Sequence, residues 1–399
     1  MNDALKQLAA EAIDRRRQEL AALSRVIHDN PELGFNETTA AGSLVEECRR
    51  LGWQTDSGIC DLPTAWQATL PSSGQGPTVA LLAEYDALPE IGHACGHNLM
   101  AIAPIAAAIG LEAVAGQVPG KTVVLGTPAE EGGGGKQLMV DRGVLAGIDA
   151  ALLVHPSAHG TVRTQALACE HYEVEFRGFA AHAAASPEQG VNALNAMILS
   201  FNHIDALRQH IRPSARVHGI ILHGGDKANI VPEHTSAEFI IRAADNTYLD
   251  ELLDKVRKCF EGAALATGCS FEWRQISPRY ETVNSNPTLS ELYFQAMQQL
   301  GVDCPMDSDR GFGSTDMGNV SWRVPAIQPM FQIVDHVANH TREFTAAAVT
   351  ERAFEATFNA AKAMAFTAID LLSDPALLER ARREFRESLS ANGSQVAKP

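Results

Sequence analysis

Short apolar runs alternate with amphipathic segments along the first 170 residues of the chain. Three of these runs predict buried strands, at 77–88, 122–131 and 148–156. Segments with helical periodicity lie between them, at 97–115 and over QLMVDRGVL. Alternation of strand and helix predicts a largely parallel sheet with helices on both faces. We therefore expect an α/β fold.

The pattern changes near residue 172. HYEVEFRG alternates like a half-exposed strand, and a long amphipathic helix, two further strands and a helix at 249–265 follow it. These elements predict a smaller α+β unit inserted into the chain. We expect a first domain in two parts, with a charged terminal helix and about nine disordered residues at its end. The predicted bounds are 1–171 and 285–399 for the two parts and 172–284 for the inserted unit.

Side chains that can bind metals follow the apolar runs of the first domain. Cys95 and His97, Glu130 and Glu131, and His155 each lie at or just beyond the C-terminal end of a predicted strand. In open α/β sheets that edge is where ligands bind. The pattern therefore predicts a site at this edge of the sheet.

Cys95 and His97 are separated by one residue, so that one loop can supply a thiolate and an imidazole to a metal site. Gly92 and Gly96 permit the tight turn that such a loop needs. The other interpretation is a buried free cysteine beside a capping histidine. The residues of this loop alone favour neither.

The segment TPAEEGGGGK contains two adjacent glutamates. One can bind a metal while the other faces a water, as metal-assisted hydrolysis requires. A phosphate-binding loop is disfavoured because the G-x-x-x-x-G-K-S/T spacing is absent. A solvated acidic turn remains possible, and so does a strand-end role without function for His155. Of His336 and His340, at most one need be a ligand.

Composition narrows the classes of partner. The 399 residues carry a formal charge of −16, from 48 acidic and 32 basic side chains. This balance argues against nucleic acid or an anionic membrane as a partner. The sequence contains no apolar run long enough for a membrane span. Its seven scattered cysteines do not resemble a disulfide framework. We therefore expect a reduced, cytoplasmic protein.

Six motifs, taken in order, resemble one known family. HACGHN, GTPAEEGGGGK, LLVHP, HAAASPEQGVNAL, GSTDMGNVSW and NHTREF are similar to motifs of the metallopeptidase-related amidohydrolases, which include indoleacetyl-amino-acid, hippurate and p-aminobenzoyl-glutamate hydrolases. EYDALPEIGHACGHNLM and GSTDMGNVSW resemble most the branch of p-aminobenzoyl-glutamate hydrolase and the dipeptidases of the peptidase M20 domain-containing 2 type. The resemblance extends from about His28 to about Phe385.

The resemblance implies a zinc-peptidase-like catalytic domain that binds two divalent metal ions, manganese or zinc. Glu130 would be the general base, and Asp86 would orient a ligand histidine. The motif around His340 resembles the family's last ligand motif more than that around His336, which stays the alternative. Asn98 replaces an aspartate that is common in the family, and an asparagine can keep the hydrogen bond but not the charge. The implied metal ligands are Cys95, His97, Glu131, His155 and His340.

The same resemblance assigns roles in the inserted unit, which would be a lid and dimerisation domain. His182 would donate a hydrogen bond to the oxyanion and, in related dimers, often comes from the partner subunit. Asn229 and Arg242 would bind the carboxylate of the substrate. A homodimer formed through this unit is implied.

The expected reaction is hydrolysis of an amide bond between an acyl, aroyl or aminoacyl group and an amino acid. An alternative is the same chemistry at an aryl amine or carbamoyl centre, because one fold hosts related reactions. A third hypothesis is that the protein binds a metal or another ligand without catalysing a reaction. Glu130 argues against it, because a base that binds no metal has no use without a water to deprotonate.

Overall fold

The computed structural model describes residues 2–71, 75–308 and 313–391. By their contacts the residues divide into two compact units. The first comprises Met1–Gln165 and Val283–Pro399, and the second comprises Ala166–Thr282. The predicted disordered tail lies almost wholly outside the described residues.

The strands and helices are numbered along the whole chain. The strands are β1 (Gln54–Ser57), β2 (Trp66–Thr69), β3 (Thr78–Ala83), β4 (Lys121–Gly126), β5 (Ala150–Leu152), β6 (His155–Ser157), β7 (Ala168–Arg177), β8 (Arg216–His223), β9 (His234–Ala243), β10 (Ser270–Gln275), β11 (Ala326–Ile327) and β12 (Met330–Gln332). The helices are α1 (Asn2–Asp29), α2 (Thr38–Arg50), α3 (His97–Glu112), α4 (Gly135–Asp141), α5 (Ala193–Leu207), α6 (Asn246–Thr267), α7 (Pro287–Gln299), α8 (Met317–Ser321), α9 (Arg342–Ala347), α10 (Glu351–Ser373) and α11 (Pro375–Ala391).

A six-stranded sheet in the order β1-β2-β4-β3-β5-β11 forms the centre of the first unit. The pairs β4–β3, β3–β5 and β5–β11 are parallel, whereas β1 and β2 pair antiparallel at one end. The apolar residues of β3 are buried because helices cover the sheet. The predicted α/β fold with a mostly parallel sheet is confirmed.

The predicted strands are longer than the observed ones at their C-terminal ends. The run at 77–88 is a strand only to Ala83, and the run at 122–131 only to Gly126. The third run breaks after Leu152, and the chain then pairs with β12 from His155 onward. The polar residues that follow the first two breaks are therefore in loops at the sheet edge, whereas His155 begins the short strand β6.

Helix α3 is buried along nearly its whole length, from His97 to Leu111. It packs against α1, α10 and the sheet, so apolar residues surround it on all sides. Its N-terminal residue, His97, is thereby fixed by the core of the unit.

The second unit is a four-stranded antiparallel sheet in the order β10-β7-β9-β8, packed against α5 and α6. The prediction of an inserted α+β unit is confirmed. Strand β8 is an edge strand, and three consecutive apolar residues on it, Ile220, Ile221 and Leu222, are exposed. Among the described residues, no helix is both long and apolar enough to cross a membrane.

A buried ion cluster joins three elements of the first unit. The amino group of Lys136, on α4, lies 2.6 Å from Glu84 Oε1, just beyond β3, and 2.6 Å from Asp316 Oδ1, at the start of α8. The backbone N–H of Lys136 also donates to Asp316 Oδ2 at 2.8 Å. All three side chains are buried. The cluster therefore fixes the loop ends around the sheet edge relative to one another.

Replacing Lys136 by methionine keeps the side-chain volume but leaves two buried carboxylates without their cation. We expect Lys136→Met to lower the free energy of unfolding by about 3–5 kcal/mol, because breaking a buried ion pair leaves uncompensated charge. Urea unfolding at neutral pH measures the change. The control is Lys258→Met, which removes a fully exposed pair with Asp254 and should leave the midpoint unchanged. Equal midpoints for the two variants would contradict the structural role of the cluster.

Candidate active site

A tight turn before α3 presents Cys95 and His97 at the edge of the sheet. Gly96 has a φ of +73°, a conformation that residues with a Cβ rarely adopt. A Cβ on Gly96 would also lie 2.6 Å from Pro156 Cγ. The turn therefore requires glycine at this position.

Cys95 is common to two groups of metal-binding side chains. In each group the candidate ligand atoms lie within 4.8 Å of one another. The first group is Cys95, His97 and His155, and the second is Cys95, Glu131 and His340. Cys95 Sγ lies 3.1 Å from His340 Nε2. Because one sulfur belongs to both groups, the geometry can hold two adjacent metal ions.

Asp86 connects these two groups. Its Oδ1 accepts a hydrogen bond from His97 Nδ1 at 2.9 Å, and its Oδ2 accepts one from the Glu131 backbone N–H at 2.9 Å. The first bond occupies Nδ1 of His97 and leaves Nε2 as the atom that can bind a metal. Asp86 thus orients a ligand from each group.

His155 is held in the form that binds metals. Its Nδ1 donates to the Pro156 carbonyl at 2.7 Å, which leaves Nε2 as the acceptor atom. Burial lowers the pKa of His155 to about 4, so the imidazole is neutral at physiological pH. The rings of His155 and His97 lie edge to face, with centroids 5.8 Å apart.

Burial and neighbouring charges also shift the pKa values of the other donors. Burial opposes the charge on His97, but Asp86 raises the pKa of its imidazole well above the ordinary value. Burial, followed by the charge of Glu131, raises the pKa of the Cys95 thiol. Both groups would keep their protons without a nearby cation, and a bound metal displaces such protons.

Unsatisfied polar atoms also point to a cation. His97 Nε2 and Glu131 Oε1 are buried and accept no hydrogen bond from the described residues. A buried polar atom without a partner is costly unless something else satisfies it. Sulfur, imidazole and carboxylate are ligands that zinc accepts, and the imidazoles and carboxylates also suit manganese. The residues present therefore fit two divalent metal ions.

Glu130 lies outside the two groups that share Cys95 and forms a third group of candidate ligands with Glu84 and His97. Its side chain is buried, and its Oε2 lies 4.0 Å from His97 Nε2. Burial raises its pKa, and the neighbouring charge of Glu84 adds to this effect. The residue before it, Ala129, has a φ of +58°. This turn gives Glu130 and Glu131 different directions at the sheet edge.

Outside these groups lie His336, Asn98 and the first histidine of the HACGHN motif, His93. His336 is absent from the metal-binding groups found among the described residues, whereas His340 is present. Asn98 donates to Ser24 Oγ at 2.9 Å and to the Ala348 carbonyl at 3.0 Å, so its amide joins helices and needs no charge. His93 contacts the Ile27 carbonyl at 3.2 Å, and burial lowers its pKa to about 3.

Sequence reasoning missed two residues that line the site. Glu84 Oε2 lies 3.4 Å from His97 Nε2, and Lys136 neutralises this carboxylate. Glu84 stands at a strand end, like the other candidates, and the same rule could have identified it. The sequence pattern relates Lys136 only to a phosphate-binding loop, because its partner Asp316 lies 180 residues away.

In the second unit, His182 and Asn229 are neighbours. The Asn229 carbonyl accepts the Ala183 N–H at 3.1 Å. His182 Nδ1 accepts the N–H groups of Ala184 and Ala185 at 3.2 and 3.1 Å. The proton of a neutral His182 is therefore on Nε2, and this nitrogen can donate a hydrogen bond.

Arg242 lies at the opposite end of β9 from these residues. It pairs with Cys169, whereas His234 pairs with Arg177 near the His182 end. The strand from His234 to Arg242 spans roughly 26 Å. The structure therefore does not bring Arg242 together with Asn229 and His182 within one chain.

Comparisons with known proteins agree with this arrangement. The model of the Peptidase family M20/M25/M40 matches residues 80–364. The Xaa-Arg dipeptidase of Mus musculus is 42% identical over 398 residues, which cover 96% of this chain and 92% of the mouse protein. A p-aminobenzoyl-glutamate hydrolase chain of Escherichia coli (strain K12) is 31% identical, and the match covers 94% of each protein.

A solved structure supports the same fold. The Bacillus subtilis protein described as a dinuclear metal-binding peptidase of the M20 family has a TM-score of 0.70 at 19% identity, covering 90% of this chain and 99% of that chain. The resemblance inferred from the motifs is confirmed. The chain therefore belongs to the Peptidase family M20/M25/M40 and is a hydrolase that acts on carbon–nitrogen bonds.

Proposed function

We propose that this enzyme is a dinuclear metallopeptidase that hydrolyses dipeptides, with arginine at the C-terminal position as the first candidate. Two donor groups that share Cys95, with Glu130 beside them, carry the proposal. The substrate class follows the relative with 42% identity, an Xaa-Arg dipeptidase. The relative with 31% identity makes p-aminobenzoyl-glutamate the second candidate.

The metal ligands are assigned by the two groups. Cys95, His97 and His155 would hold one ion, and Cys95, Glu131 and His340 the other. When bound, manganese or zinc ions polarise the scissile carbonyl and lower the pKa of a water.

Glu130 transfers the protons in this mechanism. Its carboxylate takes a proton from the attacking water and delivers that proton to the amine that leaves. Its Oε2 lies 4.0 Å from His97 Nε2, beside the donors that would hold the metal ions. Its burial keeps bulk water away from the shared proton.

His182 would stabilise the oxyanion that forms at the carbonyl. Support comes from its tautomer, since two backbone N–H groups occupy Nδ1 and the proton lies on Nε2. Asn229 and Arg242 would bind the carboxylate of the substrate.

A homodimer would resolve the distance between Arg242 and His182. A dipeptide backbone spans about 7 Å, far less than the separation along β9. One chain would supply Arg242 to a site, and the other would supply His182 and Asn229. The exposed apolar residues of edge strand β8 are a suitable surface for such an interface.

A cytoplasmic location agrees with the absence of disulfides among the described cysteines.

Amine release from a substrate panel tests the reaction. The panel contains Xaa-Arg and Xaa-Lys dipeptides, p-aminobenzoyl-glutamate, N-acyl amino acids and N-carbamoyl amino acids, each with manganese and with zinc. We expect the wild type to cleave the Xaa-Arg dipeptides and Glu130→Ala to lower kcat by about 10²- to 10⁴-fold. The exposed Glu272 on β10 gives the control variant, Glu272→Ala. Full turnover by Glu130→Ala would remove Glu130 as the base, and cleavage of carbamoyl compounds alone would contradict the substrate class.

The two C-terminal histidines provide a matched test of the ligand assignment. We expect His340→Ala to retain about one metal ion per chain after dialysis and His336→Ala to retain two, because of these two histidines His340 belongs to a donor group with Cys95 and His336 does not. Elemental analysis of the dialysed proteins measures the content. If His336→Ala lost one metal ion per chain and His340→Ala kept two, His336 would be the ligand and the assignment would be reversed.

Complementation tests the composite site. We expect His182→Ala and Arg242→Ala each to lose at least about 10²-fold in kcat. After subunit exchange between the two variants, half of the dimers are mixed and each has one intact site, so about one quarter of the wild-type activity returns. Each variant exchanged with itself is the control. Mixed dimers that form but stay inactive would show that both residues act from the same chain.

A further inference from the structure

Glu37 is a buried carboxylate without a role in the mechanism above. It lies at the N-terminal cap position of α2, and its side chain is fully buried. Its Oε1 accepts the backbone N–H of Ala129 at 2.8 Å, and its Oε2 accepts the hydroxyl of Thr64 at 2.9 Å. The carboxylate thus reaches across 92 residues of sequence to the loop before Glu130.

Helix α2 does not need this carboxylate. Glu37 makes no side-chain capping bond to the helix. The carboxylate of Glu32 instead accepts the N–H groups of Thr39 and Ala40, at 2.9 and 3.0 Å. Burying a carboxylate is unfavourable unless hydrogen bonds compensate for the lost water. Since Glu37 does not cap α2, we attribute its burial to the hydrogen bond that it accepts from Ala129.

Ala129 needs an external restraint. Its φ of +58° lies in the left-handed region, which costs energy for a residue with a Cβ. Such a conformation persists only where the surroundings impose it. The bond from Ala129 to Glu37 lies on one side of Glu130, and the bond from Glu131 to Asp86 lies on the other. Two buried carboxylates therefore hold the backbone on both sides of Glu130.

The segment that contains Glu37 also packs against this loop. A Cβ on Gly34 would lie 2.8 Å from Ala129 Cβ, so the two backbones approach closely. The Phe35 ring lies against Gly133, where a Cβ would be 2.6 Å from the ring. Residues 34–37 are thus shaped to fit the loop at 129–133.

We propose that Glu37 is a positioning residue that holds the Ala129–Glu130 turn, and thereby the base, in its working geometry. This inference rests on the proposed role of Glu130. A displacement of about 1 Å at a reacting group can lower the rate by about 10²-fold. Because the ligand Glu131 is fixed separately by Asp86, loss of Glu37 affects proton transfer more than metal binding.

Two substitutions separate the hydrogen bond from the volume of the side chain. Glu37→Met fills the site without an acceptor, whereas Glu37→Gln keeps an acceptor for Ala129, and the Thr64 hydroxyl can rotate to accept from the amide. We expect Glu37→Met to lower kcat by about 10- to 100-fold, with KM and metal content changed by less than about three-fold. Glu37→Gln should return kcat to within about three-fold of wild type.

The control is Glu32→Ala, which removes the cap of the same helix without touching the loop. We expect it to lower the melting temperature and to leave kcat unchanged. If Glu37→Met does not fold, Thr64→Val replaces it. This variant removes the hydroxyl that donates to Glu37 Oε2, and kcat should fall to a level between that expected for Glu37→Met and that of the wild type. A normal kcat in Glu37→Met, or equal losses in Glu37→Met and Glu37→Gln, would overturn the proposal.

Hydrogen exchange gives a readout that does not depend on turnover. The Ala129 amide should exchange faster in Glu37→Met than in the wild type, and Glu37→Gln should restore its protection. If the wild type cleaves no substrate of the panel, the proposed function fails, and exchange alone decides whether Glu37 holds the loop. Unchanged exchange in Glu37→Met would then refute the role of Glu37.

Discussion

The structure depends on burying more negative charge than its basic side chains neutralise. Six carboxylates lie at or near one edge of the central sheet with little or no exposure to solvent, and the ammonium of Lys136 and the imidazole of His97 are beside them. Unpaired charges cannot remain in a protein interior. Backbone N–H groups and Lys136 satisfy part of this charge, and two divalent cations would neutralise the remainder. The six carboxylates are those of Glu37, Glu84, Asp86, Glu130, Glu131 and Asp316.

The same carboxylates fix the backbone around the site. Asp86 accepts a hydrogen bond from the backbone N–H of Glu131, and Glu37 accepts one from the backbone N–H of Ala129. Asp316 likewise accepts a hydrogen bond from the backbone N–H of Lys136. Each of these bonds positions a loop that follows a strand end, so the shape of the loops depends on the charge state of the carboxylates. Metal binding and the folding of these loops are therefore linked, because cations stabilise the ionised form that the backbone bonds require.

The sequence predicts the fold and part of the site for a clear reason. Apolar runs identify the strands, and parallel strands bring their C-terminal ends to one edge, which places Cys95, Glu130 and His155 in one region. The roles of individual ligands came from the resemblance to a family. Glu37 and Lys136 were not predicted because their partners lie 92 and 180 residues away and no local pattern encodes such contacts. Nor does strand periodicity show that Arg242 and His182 lie at opposite ends of a sheet.

The central claim is that one cysteine joins two metal ions. X-ray absorption at the zinc edge of the fully loaded protein tests it most directly. The account predicts a sulfur ligand and a second zinc within about 4 Å of the first, with the sulfur ligand lost in Cys95→Ser. A spectrum with nitrogen and oxygen ligands alone, and without a zinc–zinc distance, would contradict the account.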